Sequence, residues 1–270
     1  MNKKENYCSK EHLMFLKSQR RNKLKIVFWR ISAFLIFLIL WELAARYKFI
    51  DSFLVSSPSR VLKTLINLNN NGEFWSNILV TVIETTIGFI FGTILGVLIS
   101  IILWWFDTVE KISEPYLIIL NALPKVALGP IIIVWMGSGT GAIITMSLLI
   151  SVVVTVINIL SGFKNVDENK LLLMRSFGAS KFQILQKIIL PTNFSNIIST
   201  LKINVGMSLI GVITGEFLVA TKGIGYLIIY GGQVFKLDLV VTGIFILAVI
   251  ASLIYIAVAK LESYFTKFRK

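Results

Sequence analysis

The chain has 270 residues, of which 56% are apolar and 15% charged, and its mean hydropathy is +0.80. A soluble domain carries about 25% charged residues, so this composition excludes an ordinary soluble protein and indicates an integral membrane protein. The formal net charge of +13 arises mainly from basic residues beside apolar runs, a pattern that encodes membrane orientation and requires no nucleic-acid partner.

A polar, basic tail is predicted over residues 1–25, followed by a first transmembrane span over residues 26–45. The apolar run leads into Glu42 without a small-residue cleavage pattern, so we expect this span to remain attached as an anchor. The one cysteine, Cys8, and the one histidine, His12, both lie in the tail. Their number and position exclude a disulfide framework and a zinc site built from cysteine and histidine.

Apolar runs predict five further spans, which form a core over residues 78–262. The uncharged stretch 126–163 would measure about 57 Å as one helix, nearly twice the thickness of the hydrocarbon layer, so it must fold back. The glycine-rich segment 137–141 is the expected turn. The fold class is therefore all-α, with about six transmembrane helices. The core spans are expected over residues 78–103, 115–136, 142–162, 194–218 and 240–259.

Basic residues are distributed unequally between the two sides of the predicted bundle. Six crossings place both termini on one side, which receives nineteen Lys and Arg residues, against six in the opposite loops. The positive-inside rule then predicts cytoplasmic termini and a cytoplasmic loop over residues 164–191. All six tryptophans fall near predicted span ends, where interfacial rings are expected: Trp29, Trp41, Trp75, Trp104, Trp105 and Trp135.

The loop over residues 164–191 has the pattern of two short helices. Asp167 can cap the first helix, and Gly178 can provide its left-handed exit. Ser180 and Gln183 form a capping-box pattern for the second helix, which Pro191 is expected to end. By periodicity alone, an interfacial amphipathic helix without a partner is the alternative. The expected apolar face of the second helix comprises Phe182, Leu185, Ile188 and Ile189.

Small residues repeat every four positions along the second span, at Gly88, Gly92 and Gly96. Such a row allows two membrane helices to approach closely. We expect packing within one chain, and a contact between subunits is the alternative. Neither interpretation requires a ligand.

Four charged residues lie inside the predicted spans of the core, where each costs about 2.5–3.5 kcal/mol on insertion scales. They are Glu84, Lys125, Lys202 and Glu216. One interpretation is a polar pathway in which Lys125 or Lys202 attracts an anionic substrate. The alternative is internal pairing, for example of Lys202 with Glu216, or snorkelling near a span end.

The third predicted span contains helix-breaking residues. Asn121, Pro124 and Pro130 would free backbone carbonyl groups, which at membrane depth requires contact with protein or a wet cavity. A pathway lining and a simple kink are both open. Gly223 and Gly225 would permit a tight re-entry, with a plain turn as the alternative. The candidate pathway residues are Asn121, Pro124, Lys125, Pro130, Lys202 and Glu216.

Several motifs occur in order along residues 56–262. Gly178 is followed by Ile188, Leu190 and Pro191, and the third span reads NALPKVALGP over residues 121–130. These motifs resemble those of permease subunits of binding-protein-dependent ABC importers, in the nitrate, sulfonate and taurine branch. The triplet 172–174, Leu-Leu-Met, stands where this family usually has Glu-Ala-Ala. Further similar segments are residues 134–137, 165–167, 175–180, 215–217 and 223–227.

The resemblance implies a type I importer permease core, like that of the methionine importer, with a cytoplasmic coupling-helix loop. It also implies that this loop contacts an ATPase subunit, which binds ATP and Mg²⁺. The chain itself has no G-x-x-x-x-G-K-[ST] phosphate loop, so we expect no enzymatic activity and no cofactor of its own. The implied contact residues are Asp167, Arg175, Gly178, Ala179, Ser180, Phe182, Leu185, Ile188, Leu190 and Pro191.

Further implied partners are an extracytoplasmic binding protein and a second permease copy in the cell membrane. The implied cargo is a small anion such as an alkanesulfonate, taurine or nitrate, and another small solute, such as a thiamin-precursor pyrimidine, is the alternative. A stand-alone secondary transporter or channel would be expected to show an inverted repeat, and none is evident. An intramembrane enzyme would need paired catalytic groups at matched depth, whereas the predicted spans contain no His and no Asp.

Overall fold

The structure is a computed structural model that describes residues 10–267, and within that range every regular element is helical. Cys8 and the side chain of His12 lie outside the described part. Contacts divide the chain into two units, with the boundary between Lys63 and Thr64. The helices are α1 (Lys10–Arg46), α2 (Ser52–Val55), α3 (Pro58–Asn70), α4 (Glu73–Trp105), α5 (Asp107–Ala122), α6 (Gly129–Met136), α7 (Thr140–Lys164), α8 (Glu168–Ser176), α9 (Lys181–Ile184), α10 (Leu190–Val219), α11 (Ile224–Gln233) and α12 (Leu237–Lys267).

The first unit is dominated by α1, which begins well before the predicted span. Its segment Leu24–Arg46 is long and apolar enough to cross a membrane, and none of its most hydrophobic window is buried by protein. The carboxylate of Glu42 accepts hydrogen bonds from the backbone N–H and the hydroxyl of Ser59, at 3.0 and 2.9 Å, which fixes the start of α3 against α1.

The second unit is built around α4, α7 and α10, which share the most extensive helix contacts. A β-carbon built on Gly88, Gly92 or Gly96 of α4 would overlap Ser147, Ser151 or Thr155 of α7. The glycine row therefore lies against a helix of the same chain. Along these contacts the residue numbers rise together in the two helices, so α4 and α7 run parallel. α10 runs antiparallel to both, since Asn204 donates to Thr93 and Thr81 donates to Glu216.

Five described helices are long and apolar enough to span a membrane, or six if the bent pair formed by α5 and residues 125–136 counts as one span. That pair corresponds to the predicted third span, and its halves meet at an angle of 93°. Pro124 pushes Leu123 into the extended region, at ψ 135°, which ends α5. Pro130 occupies the first turn of α6, where its missing N–H is tolerated, so it does not cause a second break.

Candidate functional site

The loop between α7 and α10 has the two helices that its sequence predicts. Asp167 accepts a hydrogen bond from the N–H of Asn169 at 2.9 Å and so caps α8. Gly178 ends that helix at φ +74°, and the N–H of Ala179 returns to the carbonyl of Met174 at 3.0 Å. Ser180 then forms a reciprocal capping box with Gln183, at 2.8 and 3.3 Å. The loop is therefore fixed by local hydrogen bonds at both of its turns.

The expectation that Pro191 ends the second helix is wrong. After α9 the backbone widens into a π-helical segment over Leu185–Ile189, in which the N–H of Leu190 bonds to the carbonyl of Leu185. Pro191 then lies in the first turn of α10. The wider turn accommodates the proline, which has no N–H to donate. One continuous helical segment of 39 residues therefore runs from Lys181 to Val219.

The apolar face of the second helix differs from the expected one at a single residue. Leu185 and Ile189 are buried and Ile188 is half-buried, but Phe182 is 60% exposed. Ile184 takes the expected place of Phe182 and packs with Phe163 of α7. The π segment adds a residue to the turn and rotates the helix face, which periodicity based on a regular α-helix could not anticipate.

Ion pairs attach the loop to α5, and the sequence analysis did not identify them. The ammonium of Lys181 lies 3.1 Å from Asp107 and 5.5 Å above the ring of Trp104. Lys164, at the end of α7, bonds to Glu110 at 2.8 Å. The sequence does contain a signal for these ion pairs. Asp107, Glu110 and Glu114 have the spacing i, i+3 and i+7, which places all three carboxylates on one helix face.

Charge reversal at Lys164 should destabilise this junction. Lys164→Glu places a third carboxylate beside Glu110 and Glu114, which lie 2.8 and 3.6 Å from the native ammonium. We expect a lower thermal transition of the purified chain, corresponding to about 1 kcal/mol or less because Lys164 is half-exposed. The swapped pair Lys164→Glu/Glu110→Lys should recover most of the loss. A double variant no more stable than the single one would contradict a direct pairing.

The outer side of the loop carries an uncovered group of apolar side chains. Each is more than half exposed: Leu172 at 57%, Leu173 at 58%, Phe177 at 78% and Phe182 at 60%. Arg175 lies between Leu173 and Phe177 in the chain and lines the cavity between the loop and α5. Exposed residues of this size on a loop held rigidly at both turns are typical of a protein-binding surface.

The candidate pathway residues do not form one cluster. The ammonium of Lys125 bonds to the carbonyl of Asn121 at 2.9 Å, across the break at Pro124. Lys202 pairs with Glu262 of α12, so the suggested pairing with Glu216 is wrong. Glu216 instead accepts hydrogen bonds from Thr81 and from the N–H of Gly225. Lys202 is therefore paired with an acidic side chain, whereas the contact of Lys125 is a hydrogen bond to a neutral carbonyl group.

A polar cavity of about 330 Å³ lies between the C-terminal half of α7 and the start of α10. Asn193 bonds to the carbonyl of Ile189 at 3.0 Å, and Asn196 bonds to that of Asn158 at 3.1 Å. The polar residues of α10 that include its lining recur at helical spacing, which is the signal in the sequence for a polar helix face. That series is Asn193, Asn196, Thr200, Asn204 and Ser208.

Comparison with known proteins gives related membrane transport components. The formylaminopyrimidine transport permease protein ThiX of Halalkalibacterium halodurans is 28% identical over 237 residues, which cover 88% of this chain and 94% of the relative. The taurine transport system permease protein TauC of Escherichia coli is 24% identical, with coverage of 87% and 88%.

Two solved structures show a similar fold. The first is the MetNI methionine ABC transporter in an inward-facing conformation, with TM-score 0.62, 17% identity and coverage of 70% of this chain and 94% of that chain. The second is a bacterial ABC transporter involved in the import of the acidic polysaccharide alginate, with TM-score 0.63, 16% identity and coverage of 91% and 99%. The family model described as the binding-protein-dependent transport system inner membrane component matches residues 88–267, and the chain belongs to that family.

Proposed function

We propose that this chain is the membrane subunit of an ATP-driven importer, and that residues 164–191 transmit motion to it from a separate ATPase. Family membership supports the role of an ABC importer permease. The observation that carries the mechanism is the loop itself, which is rigid at both turns and displays large apolar side chains on its outer side. A surface of this kind can bury itself in a partner's groove.

The proposed ATPase contact is mainly apolar. Leu172 stands where the related proteins usually have a glutamate, so the contact gains its free energy from burial of this side chain and of Leu173, Phe177 and Phe182. Arg175 and Asp167 belong to the same loop and would provide polar contacts to the ATPase. ATP and Mg²⁺ would be bound by the partner.

Motion at the loop has a direct route into the membrane. The helical segment Lys181–Val219 continues without a break from the loop to the region of Glu216. The ion pairs of Lys181 and Lys164 attach the same loop to α5. A displacement of α8 and α9 would therefore move α10 and α5 together, as a helix shift transmitted between rigid elements.

The orientation that fits this mechanism places both termini and the loop 164–191 in the cytoplasm, in accord with the charge distribution. The end of the second unit that contains α11 would then face the extracytoplasmic binding protein. We further propose that two copies of the chain enclose the pathway, with the polar cavity around Asn193 and Asn196 near its cytoplasmic exit.

The proposed cargo is a small anion such as taurine, an alkanesulfonate or nitrate, and a formylaminopyrimidine-like solute is the alternative. The names of the relatives support both classes. Because Lys202 is paired with Glu262 within the chain, selection of an anion would depend on the binding protein more than on this lysine.

Reconstitution tests the proposal. The chain is placed in proteoliposomes with its ATPase, and the binding protein is supplied outside with radiolabelled taurine or formylaminopyrimidine. We expect accumulation that requires ATP, the ATPase and the binding protein. The variant Leu173→Glu should lose both uptake and co-purification of the ATPase, because a carboxylate would be buried at an apolar contact.

The matched control is Leu98→Glu, a similarly exposed leucine in the apolar C-terminal half of α4, which should fail at membrane insertion instead of at ATPase binding. Uptake by the chain alone, without ATP, would instead establish a secondary transporter. Uptake of one solute class and not the other decides the cargo.

A further inference from the structure

Two glutamates are buried side by side inside the second unit. Glu84 of α4 is 2% exposed and Glu216 of α10 is fully buried, and their carboxyl groups interact with each other. The described residues contain no lysine, arginine or histidine paired with either carboxyl group. Two cations of the packed helices are engaged elsewhere, Lys164 with Glu110 and Lys202 with Glu262.

Glu216 is surrounded by hydrogen-bond donors. Its Oε1 accepts from the hydroxyl of Thr81 at 2.6 Å, and its Oε2 accepts from the N–H of Gly225 at 2.5 Å. Gly225 lies in the first turn of α11, where N–H groups have no partner within the helix and the helix dipole is positive. These contacts all favour an ionised carboxylate at Glu216.

The neighbouring N–H groups of the same turn are satisfied by α4. Ile224 donates to the hydroxyl of Thr81 at 2.8 Å, and Gly223 donates to Oδ1 of Asn77 at 2.7 Å. Gly223 has φ +119°, and a β-carbon there would overlap the Glu216 carboxyl group. The start of α11 is thus held by a chain of polar contacts that joins α4, α10 and α11, and the glycine permits the close approach.

Glu84 has the opposite environment. Its Oε2 is buried without a hydrogen-bond partner among the described residues, and its carboxyl group faces only Thr140 and Glu216. The described residues also contain no group of three or more acidic, His or Cys side chains that could hold a metal ion. An ionised Glu84 would be a second buried negative charge beside Glu216, without compensation.

Two carboxyl groups that share one buried site cannot both ionise, because the two negative charges would repel each other. One of the two groups therefore keeps its proton. We propose that Glu84 and Glu216 share one proton. Glu84 is protonated and donates a hydrogen bond to the carboxylate of Glu216, so that Glu216 remains the anion that holds the first turn of α11. The unpartnered Oε2 of Glu84 then becomes a donor with an adjacent acceptor. Glu84 is a positioning residue, which acts on α11 through Glu216. The inference concerns the chain alone and is independent of the transport proposal.

Infrared spectroscopy of the purified full-length chain in lipid tests the protonation directly, because a protonated carboxylic acid has a C=O stretch distinct from that of a carboxylate or an amide. At neutral pH we expect an acid band in the wild type. It should disappear in Glu84→Gln and persist at a shifted frequency in Glu216→Gln. Absence of the band in the wild type would overturn the proposal, as would a band that survives Glu84→Gln and vanishes in Glu216→Gln.

Hydrogen exchange at the start of α11 tests the consequence. Glutamine at position 84 still donates to Glu216, so the amides of Ile224 and Gly225 should exchange at the wild-type rate. Glutamine at position 216 removes the charge, and exchange should become about tenfold faster. Glu84→Leu, which cannot donate, should also accelerate exchange. If Glu84→Gln accelerates exchange as much as Glu216→Gln does, the shared proton is refuted. Should Glu216→Gln not fold, the Glu84→Gln and Glu84→Leu comparison remains decisive.

Discussion

Replacement of Gly178 with valine is expected to abolish solute uptake and to weaken co-purification of the ATPase. Gly178 joins α8 to α9 at φ +74°, a backbone region that a β-branched residue adopts only with strain of about 1–3 kcal/mol. A β-carbon at this position would meet no atom within 4 Å, so the effect is conformational and not a steric clash. The strain is relieved if the turn opens, which changes the angle between the two helices. Uptake and ATPase binding in proteoliposomes measure the result.

Asparagine provides the matched control at the same position. Gly178→Asn adds a side chain of similar size to valine, but asparagine tolerates the left-handed region. This variant should retain most of the uptake and of the ATPase binding. Membrane insertion should be normal in both variants, because the turn lies outside the predicted spans. Equal loss in the valine and asparagine variants would show that the contact surface matters here and the turn conformation does not.

The second large effect is expected at Gly215 of α10. A β-carbon on Gly215 would lie 2.8 Å from the Cα atom of Ile143 in α7, and backbone cannot move aside as a flexible side chain can. Gly215→Ala should therefore separate α7 from α10 and destabilise the chain by about 1–3 kcal/mol. Thermal unfolding followed by size-exclusion chromatography in detergent should show a clear fall in the transition temperature.

Gly206, in the same helix, is the control for Gly215. A β-carbon there would meet no atom within 4 Å, and the residue is exposed. Gly206→Ala should leave the transition temperature unchanged or raise it slightly, since alanine favours the helix. A similar fall in both variants would mean that helix backbone effects dominate, and the proposed close packing of α7 and α10 would be wrong.

Local patterns predicted much of the loop 164–191. The cap at Asp167, the left-handed Gly178 and the capping box of Ser180 each depend on residues at most a few positions apart, and the structure contains all three. The predicted end of the second helix is wrong, because a π-helical segment continues directly into α10, and Pro191 lies in the first turn of that helix. Formation of the π-helical segment depends on how Leu185 and Ile189 pack against α7, which local pattern does not contain.

The buried charged residues show more clearly what cannot be predicted from the sequence. Hydropathy identified Glu84, Lys202 and Glu216 as charges within spans, but it could not assign their partners. Thr81 and Glu216 are 135 residues apart in the chain, and their contact exists only because α4 and α10 run antiparallel at close distance. The sequence was compatible with more than one acidic partner for Lys202. Its pairing with Glu262 depends on the position of α12 in the bundle.

Residue composition and local patterns were enough to predict that the chain crosses a membrane, where most of the spans lie, and that a structured loop joins α7 to α10. These properties follow from composition, from hydrophobic length and from hydrogen bonds between near neighbours. Three features required long-range packing: the 93° bend after α5, the attachment of the loop to Asp107 and Glu110, and the burial of Glu84 and Glu216 inside the second unit. Each of these depends on which distant helices pack together, and burial then requires every polar group to find a partner among the residues that packing provides.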